Sequence, residues 1–152
     1  MKILVAIEDS KYADAITQTL LAQAKPGDTQ VYVLHVVEPP SLLLGREMGG
    51  FEPDLDQAWQ ARQTQAEALV ARTAQLLRSH GFDVSTRVEQ GEPKSQIIDT
   101  ATKWGADLVI VGSHGRTGLE RFLIGSVSDA VARHAPCSVE IVRIRQDSQA
   151  TD

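Results

Sequence analysis

Lys2-Ile3-Leu4-Val5-Ala6-Ile7, followed at once by Glu8-Asp9-Ser10, decides the fold. The run does not alternate apolar with polar residues, so both faces of this strand must be covered, as in the interior of a parallel sheet. From Lys11 to Lys25 the apolar positions Ala13, Ile16, Leu20 and Ala24 recur at helical spacing, and Pro26-Gly27 stops the helix. Val31 to Val37 is a second β-branched run. Strand, helix and strand in that order make a unit that cannot close as a hairpin.

The alternation continues outward. Asp54 to Ser79 carries a long helical pattern through Leu55, Ala58, Trp59, Leu69, Thr73, Leu76 and Leu77, ended by His80-Gly81. Phe82 to Glu89 alternates like a half-exposed strand. Pro93 opens a short helix with Ile97, Ile98 and Ala101, closing near Gly105. Leu108 to Val111 reads as a buried strand, Ser126 to His134 as a helix and Val139 to Ile144 as a fifth strand. This order predicts a single-domain, doubly wound α/β sandwich, a five-stranded parallel sheet with helices on both faces. The strands at 2–7, 31–37 and 108–111 belong in its centre and 82–89 at an edge. The domain covers 1–145, and 146–152 is a polar C-terminal tail. One connection, Glu38 to Pro53, is long and carries Pro39-Pro40, Leu42-Leu43-Leu44 and Gly49-Gly50. It is read equally as a lid or partner surface and as an excursion packed on the core.

Composition sets the outer limits. A chain of 152 residues, 42% hydrophobic and 23% charged, is long enough for one core and too apolar for wholesale disorder. One cysteine, Cys137, excludes an internal disulfide and a cysteine-built metal site. Twenty acidic against fifteen basic residues give a charge of −5, which disfavours a polynucleotide partner. No stretch approaches the roughly 18 apolar residues of a membrane span, and the apolar start is too short for a secretory signal. A cytoplasmic protein is expected.

Ligands of open parallel sheets bind outside the carboxyl ends of the strands, where the winding reverses. Three segments leave the central strands there: Glu8-Asp9-Ser10, Val36-Val37-Glu38 and the loop Gly112-Ser113-His114-Gly115-Arg116-Thr117-Gly118. The glycines of that loop allow backbone N–H groups to turn toward an anion. Ser126 then opens a helix whose end favours phosphate. The same Ser126, with Asp129 three residues on, also fits an ordinary capping box. A Walker A loop is absent, since no Gly-Lys pair occurs, and Glu8-Asp9-Ser10 replaces the glycine fingerprint of dinucleotide enzymes.

Gly112, two residues, Gly115, nine residues, Gly125 and then Ser126 resembles the adenine-nucleotide motif of the ATP-binding branch of the universal stress proteins. Ile3-Leu4-Val5-Ala6-Ile7, Leu34-His35-Val36-Val37, Gly91-Glu92-Pro93 and Ala135-Pro136-Cys137 look like further landmarks of that family. The resemblance implies strand order 3-2-1-4-5, a homodimer and ATP or AMP at the switch point between the first and fourth strands. Ala6, Ile7 and Glu8 would border adenine and ribose, and the backbone at Val36 would recognise the adenine edge. Gly112, Ser113, His114, Gly115, Arg116, Thr117 and Gly118 would wrap ribose and phosphates, while Gly125, Ser126, Val127 and Ser128 would hold the phosphates. The family usually places Asp after the first strand, where this chain has Glu8 followed by Asp9.

The remaining residues are read as follows. His114 suits binding more than catalysis, and Arg116 and Arg121 are exposed cations that could pair with phosphate. His35 is expected to be a hydrogen-bonded core residue, His134 to complement its helix end, and Cys137 to be buried and inert. Trp59 and Trp104 need no cofactor to explain them. Few cations flank the loop, so bound ATP would need Mg²⁺ near Glu8 or Asp9, whereas AMP would not. The apolar last strand (Val139, Ile141, Val142, Ile144) would be an exposed hazard unless paired with a second copy. The function expected is a cytosolic stress or energy-state module that binds adenine nucleotide and acts on an unknown effector protein. Slow ATP hydrolysis and a nucleotide-independent interaction role are the alternatives; an adenylylating hydrolase cousin lacks its phosphate loop here.

Overall fold

The computed structural model describes residues 1–39, 53–113 and 124–144. The strands are β1 (Lys2–Ala6), β2 (Gln30–Val37), β3 (Asp83–Gln90), β4 (Leu108–Gly112) and β5 (Ser138–Val142). The helices between them are α1 (Ser10–Gln23), α2 (Pro53–Ser79), α3 (Pro93–Trp104) and α4 (Ser126–His134). All the ladders are parallel and the strand order is β3-β2-β1-β4-β5, as the resemblance implied.

Period-2 geometry divides β1 between two cores. Ile3, Val5 and Ile7 pack with Ile16 and Leu20 of α1 and Val70, Ala74 and Leu77 of α2. Leu4 and Ala6 face the other way, against Leu34, Val36, Ile97 and Ala101 of α3 and Val131 of α4. The unbroken apolar run at the start of the chain is thus explained by helices on both faces. β3 lies at one edge and carries charge there, with Arg87 paired to Glu89 at 2.6 Å.

The helix ends follow local chemistry. Asp9 sits in extended backbone at φ −143° and its carboxylate accepts the Tyr12 N–H at 2.8 Å, capping α1. α2 closes with left-handed Gly81 at φ 91°; Phe82 N–H reaches the Leu77 carbonyl and Gly81 N–H that of Arg78. Gly105, left-handed at φ 77°, ends α3.

Several boundaries and burials differ from the sequence reading. α1 ends at Gln23, because Ala24 is already extended at ψ 149°. β5 stops at Val142, leaving Ile144 beyond the ladder. Cys137 precedes β5 and is half-buried rather than buried; burial, and then Asp107, push its thiol pKa up. Trp104 packs edge-to-face on Tyr32 at 5.3 Å beneath the Lys2 ammonium, a purely structural arrangement. Most of the long connection after Glu38, residues 40–52, lies outside the described residues.

Candidate functional site

The winding reverses between β1 and β4, and three segments leave the carboxyl end of the sheet around that point. The first is the turn from β1 into α1. Ile7 N–H donates to the Leu34 carbonyl at 2.9 Å, and the Ile7 carbonyl accepts from His35 Nδ1 at 2.6 Å. A carbonyl oxygen only accepts, so Nδ1 carries the proton. Beyond Ile7 the chain leaves the sheet through Glu8, half-buried, and Asp9, whose carboxylate is engaged in capping α1. His35 is therefore a hydrogen-bonded residue that fixes the turn.

The second segment is the end of β2, which outlasts β1. Leu34 offers its carbonyl toward β1, and Val37 offers its carbonyl to Gly91 on the β3 side at 3.1 Å. Backbone groups alternate sides along a strand, so Val36 directs its N–H and C=O toward β1, where β1 has already turned away. Ala6 and Val36 retain 7% and 8% of their exposure, which places their side chains at the rim of the α3–α4 core.

The third segment joins β4 to α4. Ser113 N–H donates to the Val142 carbonyl at 2.9 Å, and the Ser113 carbonyl accepts from Gly125 N–H at 2.7 Å. Ser128 Oγ, 2% exposed, lies 3.0 Å from that same carbonyl and 3.1 Å from the Gly125 carbonyl. The two ends of the glycine loop are thereby clasped together at the start of α4. The first intrahelical bond there runs from Asp129 N–H to the Gly125 carbonyl, so the N–H groups of Ser126, Val127 and Ser128 have no acceptor within the helix. Gly125 flanks the helix and makes no side-chain cap, and Asp129 instead pairs with Arg133 at 3.1 Å. The capping-box reading of Ser126 is therefore not realised.

Ala6, Ile7, Glu8, Val36, Gly112, Ser113, Gly125, Ser126, Val127 and Ser128 all lie at this carboxyl end of the sheet. His114, Gly115, Arg116, Thr117, Gly118 and Arg121 lie outside the described residues. Sequence reasoning missed Tyr12. Its ring lies against Gly112, where an added Cβ would come within 2.6 Å of Tyr12 Cδ1. Its hydroxyl is 2.9 Å from Ser113 Oγ. The available signal was an aromatic residue in the first turn of α1, facing a strand that ends in glycine.

At the same carboxyl end, on the α1–α2 face of the sheet, a cavity of about 420 Å³ opens between the β1–α1 turn, β2 and α2. Glu8, Asp9, His35, Val37, Arg62, Leu69 and Arg72 line it. Arg62 and Arg72 are ten residues apart, about 15 Å along the helix, and both line this cavity. No group of three or more metal-ligating side chains occurs among the described residues. No helix among them is long and apolar enough to cross a membrane.

Fold and site together define an open, doubly wound α/β domain whose switch point lies between β1 and β4, with the N-terminus of α4 clasped to the end of β4 beside it. The chain belongs to the universal stress protein family, whose pattern it matches over residues 1–143. It is 32% identical over 149 residues to the universal stress protein Sll1388 of Synechocystis, covering 93% of this chain and 97% of that one. Among solved structures it resembles the hypothetical protein MJ0577, with TM-score 0.82, 25% identity and 97% of each chain covered. A universal stress protein family protein of Arabidopsis thaliana, solved with AMP bound, shares the fold at TM-score 0.69 and 19% identity, covering 100% of this chain and 97% of that one.

Proposed function

We propose that this chain is an adenine-nucleotide-binding member of its family, of the ATP-binding branch, and reports stress or energy state to an effector protein in the cytoplasm. One observation carries the reading: the 2.7 Å bond from Gly125 N–H to the Ser113 carbonyl. It brings the two ends of the spaced glycine motif together at the N-terminus of α4, beside the switch point. The backbone of Val36, directed into the gap beyond β1, is suited to the hydrogen-bonding edge of adenine. Glu8 would border the ribose, as the family resemblance implies, and the N–H groups of Ser126, Val127 and Ser128 suit phosphate. The AMP in the Arabidopsis neighbour supports the same choice of ligand class.

With ATP, Mg²⁺ would arrive on the triphosphate, with Glu8 as the nearby acidic group. AMP needs no metal. β5 is an edge strand with Val139 and Ile141 only half-buried, and pairing with a second copy would cover it. The test is thermal unfolding of nucleotide-stripped protein with ATP, ADP, AMP and cyclic AMP, each with and without Mg²⁺. A Mg²⁺-dependent rise with ATP supports a triphosphate switch, and a metal-independent rise with AMP supports an energy-state sensor. No rise with any nucleotide overturns the reading.

A further inference from the structure

Tyr12, in the first turn of α1, links the β1–α1 turn to the end of β4. Its backbone N–H is held by the Asp9 carboxylate at 2.8 Å, which ties it to the turn that carries Glu8. Its ring is seated on Gly112, with no room for a side chain between them: a Cβ there would lie 2.6, 2.9 and 3.2 Å from three ring carbons. Its hydroxyl meets Ser113 Oγ at 2.9 Å.

Ser113, 3% exposed, is where β4, β5 and α4 meet. Its N–H goes to Val142, and its carbonyl receives both Gly125 N–H and Ser128 Oγ. A hydrogen bond to the Ser113 side chain therefore acts on the residue from which the clasp to α4 is hung. Gly112 is explained by the same contact. It carries no left-handed φ, so this first glycine of the motif is required by the Tyr12 ring rather than by a backbone turn.

We propose that Tyr12 is a positioning residue for the phosphate end of the nucleotide site proposed above. It acts through Ser113 to set the distance between the β1–α1 turn and the N-terminus of α4. The inference rests on the nucleotide reading above and names the residue that tunes it. It predicts discrimination between ligands: a nucleoside 5′-phosphate spans both ends of that site and senses their spacing, whereas adenosine occupies one end.

The experiment is calorimetric titration of the full chain and its Tyr12→Phe variant with adenosine, AMP and ATP. Phe keeps the ring on Gly112 and removes only the hydroxyl. Loss of one such hydrogen bond should weaken AMP and ATP by about threefold to tenfold and leave adenosine within about twofold. Ser113→Ala should show the same pattern, and the double variant should be no weaker than either single one. Equal weakening of adenosine and AMP would mean a general loosening of the site and would overturn the inference, as would unchanged AMP affinity. If the parent chain binds adenosine and AMP equally well, the phosphate end contributes nothing and the inference falls while adenine recognition stands. If it binds none of the three, the nucleotide reading falls with it.

Discussion

His35 Nδ1 donates to the carbonyl of Ile7 at 2.6 Å, so a side chain from the second strand holds the first residue past the end of the first strand. The turn into α1 is thereby tied to β2 twice, by this bond and by Ile7 N–H on Leu34. Replacing His35 with Leu keeps most of the bulk and removes one tie. We expect the variant to fold, because the backbone bond remains. It should lose about 1–3 kcal/mol, the usual cost of an unsatisfied partly buried acceptor. Urea unfolding followed by tryptophan fluorescence checks this; an unchanged midpoint would show that the bond adds nothing.

The contact between Tyr12 and Gly112 predicts a coupled pair. Gly112→Ala should destabilise by about 1–3 kcal/mol, since its methyl group would sit 2.6 Å from a ring carbon in a packed sheet. Trimming the ring with Tyr12→Ser should make the same alanine nearly harmless. A double-mutant cycle in chemical denaturation should then give a coupling of about 0.5–3 kcal/mol. Additive single effects would mean that the ring moves aside freely.

Strand identity was legible because an unbroken apolar run and helical spacing leave different marks, and helix 126–134 could be read to the residue. The edge position of β3 was legible from its polar alternation, Asp83 to Gln90 being largely exposed. The clasp on Ser113 was not, because its partners come from Tyr12, Gly125, Ser128 and Val142, far apart along the chain. Periodicity reports which face a residue takes, never which distant residue meets it there. For the same reason Gly112 was credited to loop freedom when a packed ring explains it. The end of β5 was misjudged since Ile144 continues the apolar alternation after the ladder with β4 has finished at Val142.

Gly27 and Gly105 should respond oppositely to the same change. Gly105 adopts φ 77°, where a side chain is strained although nothing lies within 4 Å. Its replacement by Ala should cost about 1–2 kcal/mol, and by Asn less. Gly27 has open space around it and no left-handed φ. There Ala restricts the unfolded chain alone and should stabilise by about 0.4–1 kcal/mol. Thermal unfolding of the two Ala variants should bracket the parent protein; shifts of the same sign would contradict this.

Ser126 and Ser128 separate a capping role from a clasping one. Ser126 is exposed and provides no cap, so Ser126→Ala should change stability by under about 0.5 kcal/mol. Ser128→Ala removes a buried hydroxyl from the Ser113 and Gly125 carbonyls and should cost about 1–2 kcal/mol. A larger loss at Ser126 would restore the capping-box reading.

Cys137 gives the chain an alkaline signature. Burial raises its thiol pKa and the nearby Asp107 carboxylate adds to the rise, both by disfavouring thiolate. Between the ordinary thiol value and the raised one, the folded chain keeps a proton that the unfolded chain has lost. The native state then binds more protons than the unfolded state, so stability falls as pH climbs through that window and is fully present below it. Cys137→Ala removes this contribution, and its stability should decline less steeply on the alkaline side. Guanidinium unfolding of parent and variant across that range measures the difference in slope. Alkylation by iodoacetamide should likewise be slower than for a free thiol at the same pH, because thiolate is the reacting form. Parallel stability curves together with alkylation as fast as a free thiol's would mean that the half-buried site leaves the thiol as acidic as it is in water.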